Sequence, residues 1–257
     1  MNGFLFDDVI FGPVRSRRLG LSLGINLLPA DSKNCTFNCI YCECGWTTIQ
    51  TDRKFPDRKL VAKYLEQKLQ QMVKEDYLPD ALTYAGNGEP TLHPEFAEIV
   101  DDTIVLRDKY VPNAKVSILS NASHIHDPKV FAALLKIDNN ILKLDAGFEK
   151  TFRAINNPVV PLSFSQIIED LKKFNGKLII QSMFLRGKIG NNFIDNTTDS
   201  EVEEWIRHLK EIRPELVMIY PIARPTPLQN IEKIPIFELE KIAEKVKNAG
   251  LEPRVYP

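Results

Sequence analysis

Residues 34–46 read NCTFNCIYCECGW and hold all four cysteines of a 257-residue chain: Cys35, Cys39, Cys42 and Cys44. In a reducing compartment thiols stay free, so crowding of this kind points to a metal centre rather than a disulfide framework. The CxxxCxxC spacing of Cys35, Cys39 and Cys42 allows three thiolates to hold three corners of a cubane [4Fe–4S] cluster, with the fourth iron left without a protein ligand. Adding Cys44 would supply the four sulfurs of an all-cysteine zinc site, although CEC brings Cys42 and Cys44 too close in sequence for an easy tetrahedral closure. Unligated structural cysteines are the third reading.

Composition narrows the setting. Hydrophobic residues make up 44% and charged residues 26%, and Lys+Arg 33 against Asp+Glu 34 leaves a net charge of -1, the balance of an ordinary globular protein. No global basic field advertises nucleic acid. MNGFLFDDVIFGPVRSRRLG at 1–20 carries acids where a signal peptide carries bases. No apolar run reaches the roughly 18 residues a bilayer requires, so the expectation is a cytoplasmic protein without a membrane partner.

Outward from the cysteine loop, short β-branched runs alternate with amphipathic stretches at about the spacing of a βα unit. Strands are predicted at 21–28, 81–86, 115–120, 141–146, 177–185 and 216–223, with a short PRVY at the end. The helix over DRKLVAKYLEQKLQQMVKE is predicted to bury Leu60, Tyr64, Leu65, Leu69 and Met72. Asp127 before Pro128, Ser163, and Asp199 or Ser200 read as helix N-caps. The expectation is an α/β fold, a partial (βα)6 TIM-like barrel of parallel strands in one domain over 1–257. Residues 1–20 would be a flap or hairpin, 21–230 the barrel core, and 231–257 a C-terminal helix and short strand. In such a barrel, chemistry gathers at the C-terminal ends of the strands. The cysteine loop, GNGEPTLHP, SNAS, DAGFEKTFRAINNP and RPTP all fall there.

CxxxCxxC with an aromatic before its last cysteine, Tyr41, on the loop after the first strand resembles the radical S-adenosylmethionine superfamily. AGNGEPTLHP is similar to that superfamily's glycine-rich glutamate motif and LSNAS to its third-strand motif. LDAGFEKTFRAINNP with IARPTP resembles the branch that includes the wyosine-base tRNA-modifying enzymes. The resemblance implies two cofactors, a [4Fe–4S] cluster on Cys35, Cys39 and Cys42, and S-adenosylmethionine on its open iron. Reductive cleavage would give methionine and a 5′-deoxyadenosyl radical that abstracts hydrogen from substrate. Gly86, Asn87, Gly88, Glu89 and Pro90 would approach the cofactor, Glu89 accepting from its ammonium. Ser120, Asn121, Asp145, Asn157 and Gln181 are further cofactor candidates, and Tyr41 would lie against the adenine.

A flavodoxin- or ferredoxin-type electron donor is implied, and a monomer is favoured. Wyosine-type enzymes bring extra cysteines for a second cluster and a basic surface, whereas only Cys44 remains here and net charge is near zero. A small-molecule, cofactor-precursor or peptide substrate therefore stands ahead of tRNA, and a non-enzymatic electron carrier or zinc-binding module is the remote alternative. Arg224, Arg17 and Arg18 are candidates for an anionic substrate, the last two read as lying near the barrel entrance. His124 and His126 could pair on a metal but precede a helix start, and His93 and His208 read as solvated or satisfied. Cys44 is expected to be a buried thiol.

Overall fold

The computed structural model describes residues 3–47 and 54–257. In chain order the strands are β1 Ile10–Ser16, β2 Gly20–Ile25, β3 Ala81–Tyr84, β4 Lys115–Ser120, β5 Asn139–Lys143, β6 Ile179–Ile189, β7 Asn192–Asp195, β8 Leu216–Pro221, β9 Ile231–Lys233 and β10 Pro253–Val255. The helices are α1 Arg58–Lys74, α2 Phe96–Tyr110, α3 Pro128–Leu134, α4 Glu149–Asn156, α5 Phe164–Lys172, α6 Asp199–Ile212 and α7 Ile236–Asn248. The sheet runs β1-β2-β3-β4-β5-β6-β8-β10, parallel from β2 onward, with β1 antiparallel to β2. This is the expected α/β succession of parallel strands and helices, and the strand order does not close on itself. β7 and β9 pair antiparallel with the far half of β6, from the predicted end of that strand at Leu185 onward.

Strand alternation sorts the apolar side chains into two layers. Leu23, Ile25, Leu82, Val116, Ile118, Leu142, Ile180, Val217 and Ile219 pack against the helices. Ile141, Ile179, Met183, Met218 and Tyr220 form the inner cluster, which Leu19 and Leu119 also join. Helix α1 departs from its expected face. Val61, Leu65, Leu69 and Met72 are buried, whereas Leu60 and Tyr64 are exposed. Each precedes a core position by one residue, and one residue is a rotation of about 100°. Asp127 and Ser163 cap α3 and α5 as expected, but the hydroxyl that caps α6 belongs to Thr198, with Asp199 in the first turn. No helix among the described residues is long and apolar enough to cross a membrane.

Candidate functional site

The cysteine loop leaves β2 and is clamped on both sides of the strand ends. On one side Asn34 N donates to the Asn87 carbonyl at 2.8 Å and Glu89 N donates to the Asn34 carbonyl at 3.0 Å, extending the sheet by one parallel bridge. On the other, Asn38 N and Ile40 N each donate at 3.0 Å, to the carbonyls of Asn157 and Ile155, while Val159 N donates to Thr36 O at 2.9 Å. Between these clamps, turns from Cys42 N to Cys39 O and from Gly45 N to Cys42 O, both 3.0 Å, fold the three motif cysteines inward.

Each motif sulfur meets a donor of this chain. Cys35 Sγ accepts from Asn121 Nδ2 and from Phe37 N, both at 3.4 Å. Cys39 Sγ accepts from Asn156 Nδ2 at 3.5 Å. Cys42 lies within reach of the Lys33 ammonium. Burial pushes the Cys35 thiol up to about 12, against the pull of Lys33, and burial likewise raises Cys39. Cys42 moves the other way, because the Cys44 thiol hydrogen-bonds it and Lys33 adds its charge; Cys44 is raised in turn. Donors aimed at sulfur suit thiolates that carry the charge of an iron–sulfur group. Two buried amides beside the same loop also lack partners: Asn156 Oδ1 and both polar atoms of Asn34. These features fit the group.

Cys44 sits between two acceptors for its single proton, the Cys42 sulfur and Gly86 O at 3.4 Å, and so links the loop to its neighbour. Cys44→Ser keeps a donor at that point, so the variant is expected to retain wild-type iron content on reconstitution. Loss of iron would show that the ligand count exceeds three.

The glycine-rich turn after β3 is built for close approach to the cysteine loop. Gly86 and Gly88 have φ of 135° and 141°, and a Cβ on Gly88 would lie 1.9 Å from Asn34 O. Asn87 was expected to face the cofactor, but its buried amide exchanges two bonds with the Phe6 backbone, at 2.8 and 2.9 Å, and donates to Pro29 O at 2.8 Å. It pins the N-terminal segment, whose Phe6 stacks on Phe11 over the inner face at Gly24. Glu89 is buried, and its carboxylate accepts from Thr91 N, Thr91 Oγ1, Ser120 Oγ and Asn121 N at 3.1, 2.7, 2.9 and 2.6 Å. A carboxylate with four protein donors is first a hub joining the ends of β3 and β4, not the free acceptor the motif suggested. Pro90 opens the short 3-10 turn Pro90–Leu92 that follows.

At the end of β5, Asp145 accepts from Tyr41 Oη, Asn156 Nδ2 at 2.7 Å and Met183 N at 2.9 Å, and lies 3.4 Å from Lys143 Nζ. Lys143 also donates to Tyr41 Oη at 2.6 Å. Burial works against the Lys143 charge, but Asp145, Tyr220 and the Cys39 and Cys42 sulfurs together outweigh it and the ammonium pKa is raised; burial and then Asp145 raise Tyr41. The Tyr41 hydroxyl is therefore locked in this network whatever its ring packs against. Gln181 Oε1 is likewise occupied, by Arg18 Nη1 at 2.8 Å and Tyr220 Oη at 3.2 Å.

Two further expectations are corrected. Asn157 is exposed, with φ 41° as the left-handed residue that ends α4, and the asparagine that reaches Cys39 Sγ and Asp145 is Asn156. An asparagine directly before Pro158 is the natural left-handed cap, a signal that would have assigned the pair correctly. Arg17 and Arg18 precede β2, whose first residues bond to Asp80 at the start of β3, so they lie at the opposite end of the barrel from the cysteines. Arg17 is exposed, and Arg18 reaches up the interior to stack on Tyr220, 4.9 Å from ring centre. Arg224 is at the expected end but exposed and ion-paired with Glu43, both lining a cavity of about 400 Å³ with Phe4 and Pro225. His93 is satisfied by Pro56 O and Glu95 N. Sequence reasoning missed Lys33, Asn156 and Asn196; the last donates to the carbonyls of Asp145 and Met183, both at 2.8 Å, and so fixes the turn carrying Asp145.

Comparison with known proteins agrees with this geometry. The chain is 33% identical over 237 residues to the UPF0026 protein of Methanocaldococcus jannaschii, covering 90% of this chain and 68% of that one. Among solved structures, a radical SAM methyltransferase from Sphaerobacter thermophilus superposes with a TM-score of 0.66 at 12% identity, covering 91% of this chain and 65% of the other. TYW1 with a lysine–pyruvate adduct bound gives 0.62 at 16% identity, covering 88% and 73%. Both likenesses are of fold. The sequence model of the Radical SAM superfamily, which uses a [4Fe–4S] cluster and S-adenosylmethionine, matches residues 31–209. With its cysteine loop, glycine turn and four following strands inside that match, the chain belongs to the Radical SAM superfamily.

Proposed function

We propose that this chain is a radical S-adenosylmethionine enzyme whose Cys35, Cys39 and Cys42 hold the cluster and whose substrate is a small molecule, cofactor precursor or peptide. The observation that carries the reading is the donor set on the three sulfurs: Asn121, Asn156 and Lys33 arrive from three separate segments. When bound, the cluster and S-adenosylmethionine supply a 5′-deoxyadenosyl radical that takes a hydrogen atom from substrate. The chain's own part is positional. The Gly86–Gly88 turn brings bare backbone beside the cysteine loop, and Glu89 ties that turn to Ser120 and Asn121. Asp145, Lys143 and Tyr41 form a closed polar patch at the inner end of β5. Lys143 stays protonated beside Asp145, so it serves as a charge and hydrogen-bond donor rather than as a nucleophile. Electrons come from an external flavodoxin- or ferredoxin-type donor. A tRNA substrate ranks second, because Cys44 cannot supply a second cluster and the net charge is -1.

Anaerobic reconstitution tests the proposal. About four irons and four sulfides per chain are expected, and dithionite with S-adenosylmethionine should yield 5′-deoxyadenosine. An intact, reducible cluster that yields no 5′-deoxyadenosine would favour an electron carrier. Deuterium transfer from candidate substrates into 5′-deoxyadenosine then separates metabolites and peptides from tRNA.

A further inference from the structure

Lys33 is 3% exposed, yet no carboxylate among the described residues forms an ion pair with it. Its hydrogen bond to a carbonyl, Gly45 O at 2.9 Å, fixes the ammonium without neutralising it. A buried cation needs a compensating charge, since desolvation penalises it and a dipole offsets only part of that cost. The bond to Gly45 O holds the ammonium against the turn that Gly45 N closes on Cys42 O at 3.0 Å, so it sits beside the cysteine sulfurs and not beside a carboxylate. Asn121 and Asn156 reach the other two motif sulfurs as neutral N–H donors, and Lys143, which also faces Cys39, is ion-paired with Asp145 at 3.4 Å, so Lys33 is the positive charge in the set that no carboxylate neutralises.

We infer that the Lys33 ammonium is the counter-charge of the cluster thiolates and raises the reduction potential of the group they hold. This rests on the cluster reading above. One-electron reduction adds a negative charge to the cluster, and a fixed cation a few ångströms away stabilises the reduced form more than the oxidised one. The electron comes from the external one-electron reductant, and no proton needs to move. Lys33 thereby eases reduction by a physiological donor, at some loss of driving force for later electron transfer.

The test uses the full chain, reconstituted anaerobically as wild type, Lys33→Met and Lys33→Arg, and titrated potentiometrically by electron paramagnetic resonance. Methionine keeps the apolar stem and removes the charge. Lys33→Met is expected to hold the same iron and sulfide but to disfavour reduction about tenfold, a shift of about 59 mV to more negative potential for a one-electron couple. Lys33→Arg should titrate close to wild type. An unchanged potential in fully loaded Lys33→Met would overturn the inference and leave Lys33 as a packing residue on Gly45. If Lys33→Met loads no iron, Lys33→Gln is compared with Lys33→Arg: loading by arginine alone supports a charge requirement, and loading by glutamine or by neither overturns it. The potential does not depend on turnover. A wild type that titrates normally but cleaves no S-adenosylmethionine would overturn the proposed activity alone, whereas one that takes up no cluster would overturn both.

Discussion

Gly88→Ala is expected to abolish iron loading and to lower the stability of the chain by about 4 kcal/mol. The new Cβ would lie 1.9 Å from Asn34 O and 2.5 Å from Asn34 C, where real Cβ contacts do not fall below 3.0 Å. The obstacle is backbone, so no side chain can swing away. Relief requires parting the Asn34–Gly88 bridge, with loss of the bonds from Asn34 N to Asn87 O and from Glu89 N to Asn34 O. Each buried group left unpaired costs about 1–3 kcal/mol, and a non-glycine residue at φ 141° adds strain. Cys35 follows Asn34 directly, so the displacement reaches the first proposed ligand. Gly86→Ala should be milder, because its Cβ would meet the Asn26 side chain rather than backbone. Iron content and thermal melting of the two variants, side by side, check the argument. Full loading of Gly88→Ala would refute it.

Glu89→Gln is expected to act first on stability. An amide in place of the carboxylate turns one of two acceptors into a donor, which then faces either Asn121 N or the donors of Thr91 and Ser120. Losing a charge-assisted bond and opposing two donors in a buried site costs about 3 kcal/mol, which for a chain of this size is a drop of roughly 6–12 °C in melting temperature. Thermal melts without cofactor read this directly. A carboxylate whose only duty was to bind ligand would leave the melt of the cofactor-free protein unchanged.

The parallel core was legible because its strands are β-branched runs buried on both faces. β4 occupies the predicted span, and β3, β6 and β8 begin within two residues of it. β7 and β9 were not, since NFID and IEK are short, largely exposed segments held only by pairing with the overlong β6. The cysteine spacing announced itself because its three sulfurs lie in one loop, whereas Gly88 showed only as a turn and is required by the distant Asn34 backbone. The roles of Glu89 and Asn87 are set by partners 31 and 81 residues away, which no neighbouring residue encodes. A lysine two residues before a cysteine carries no sign that it will be buried.

In the proposed function three cysteines hold a cluster with one iron left open. Electron paramagnetic resonance of the reduced, reconstituted chain, recorded with and without S-adenosylmethionine, addresses it most directly. A reduced [4Fe–4S] signal whose line shape changes when S-adenosylmethionine is added, in Cys44→Ser as in wild type, is the predicted result. A spectrum indifferent to S-adenosylmethionine, or a cluster lost with Cys44, would contradict it.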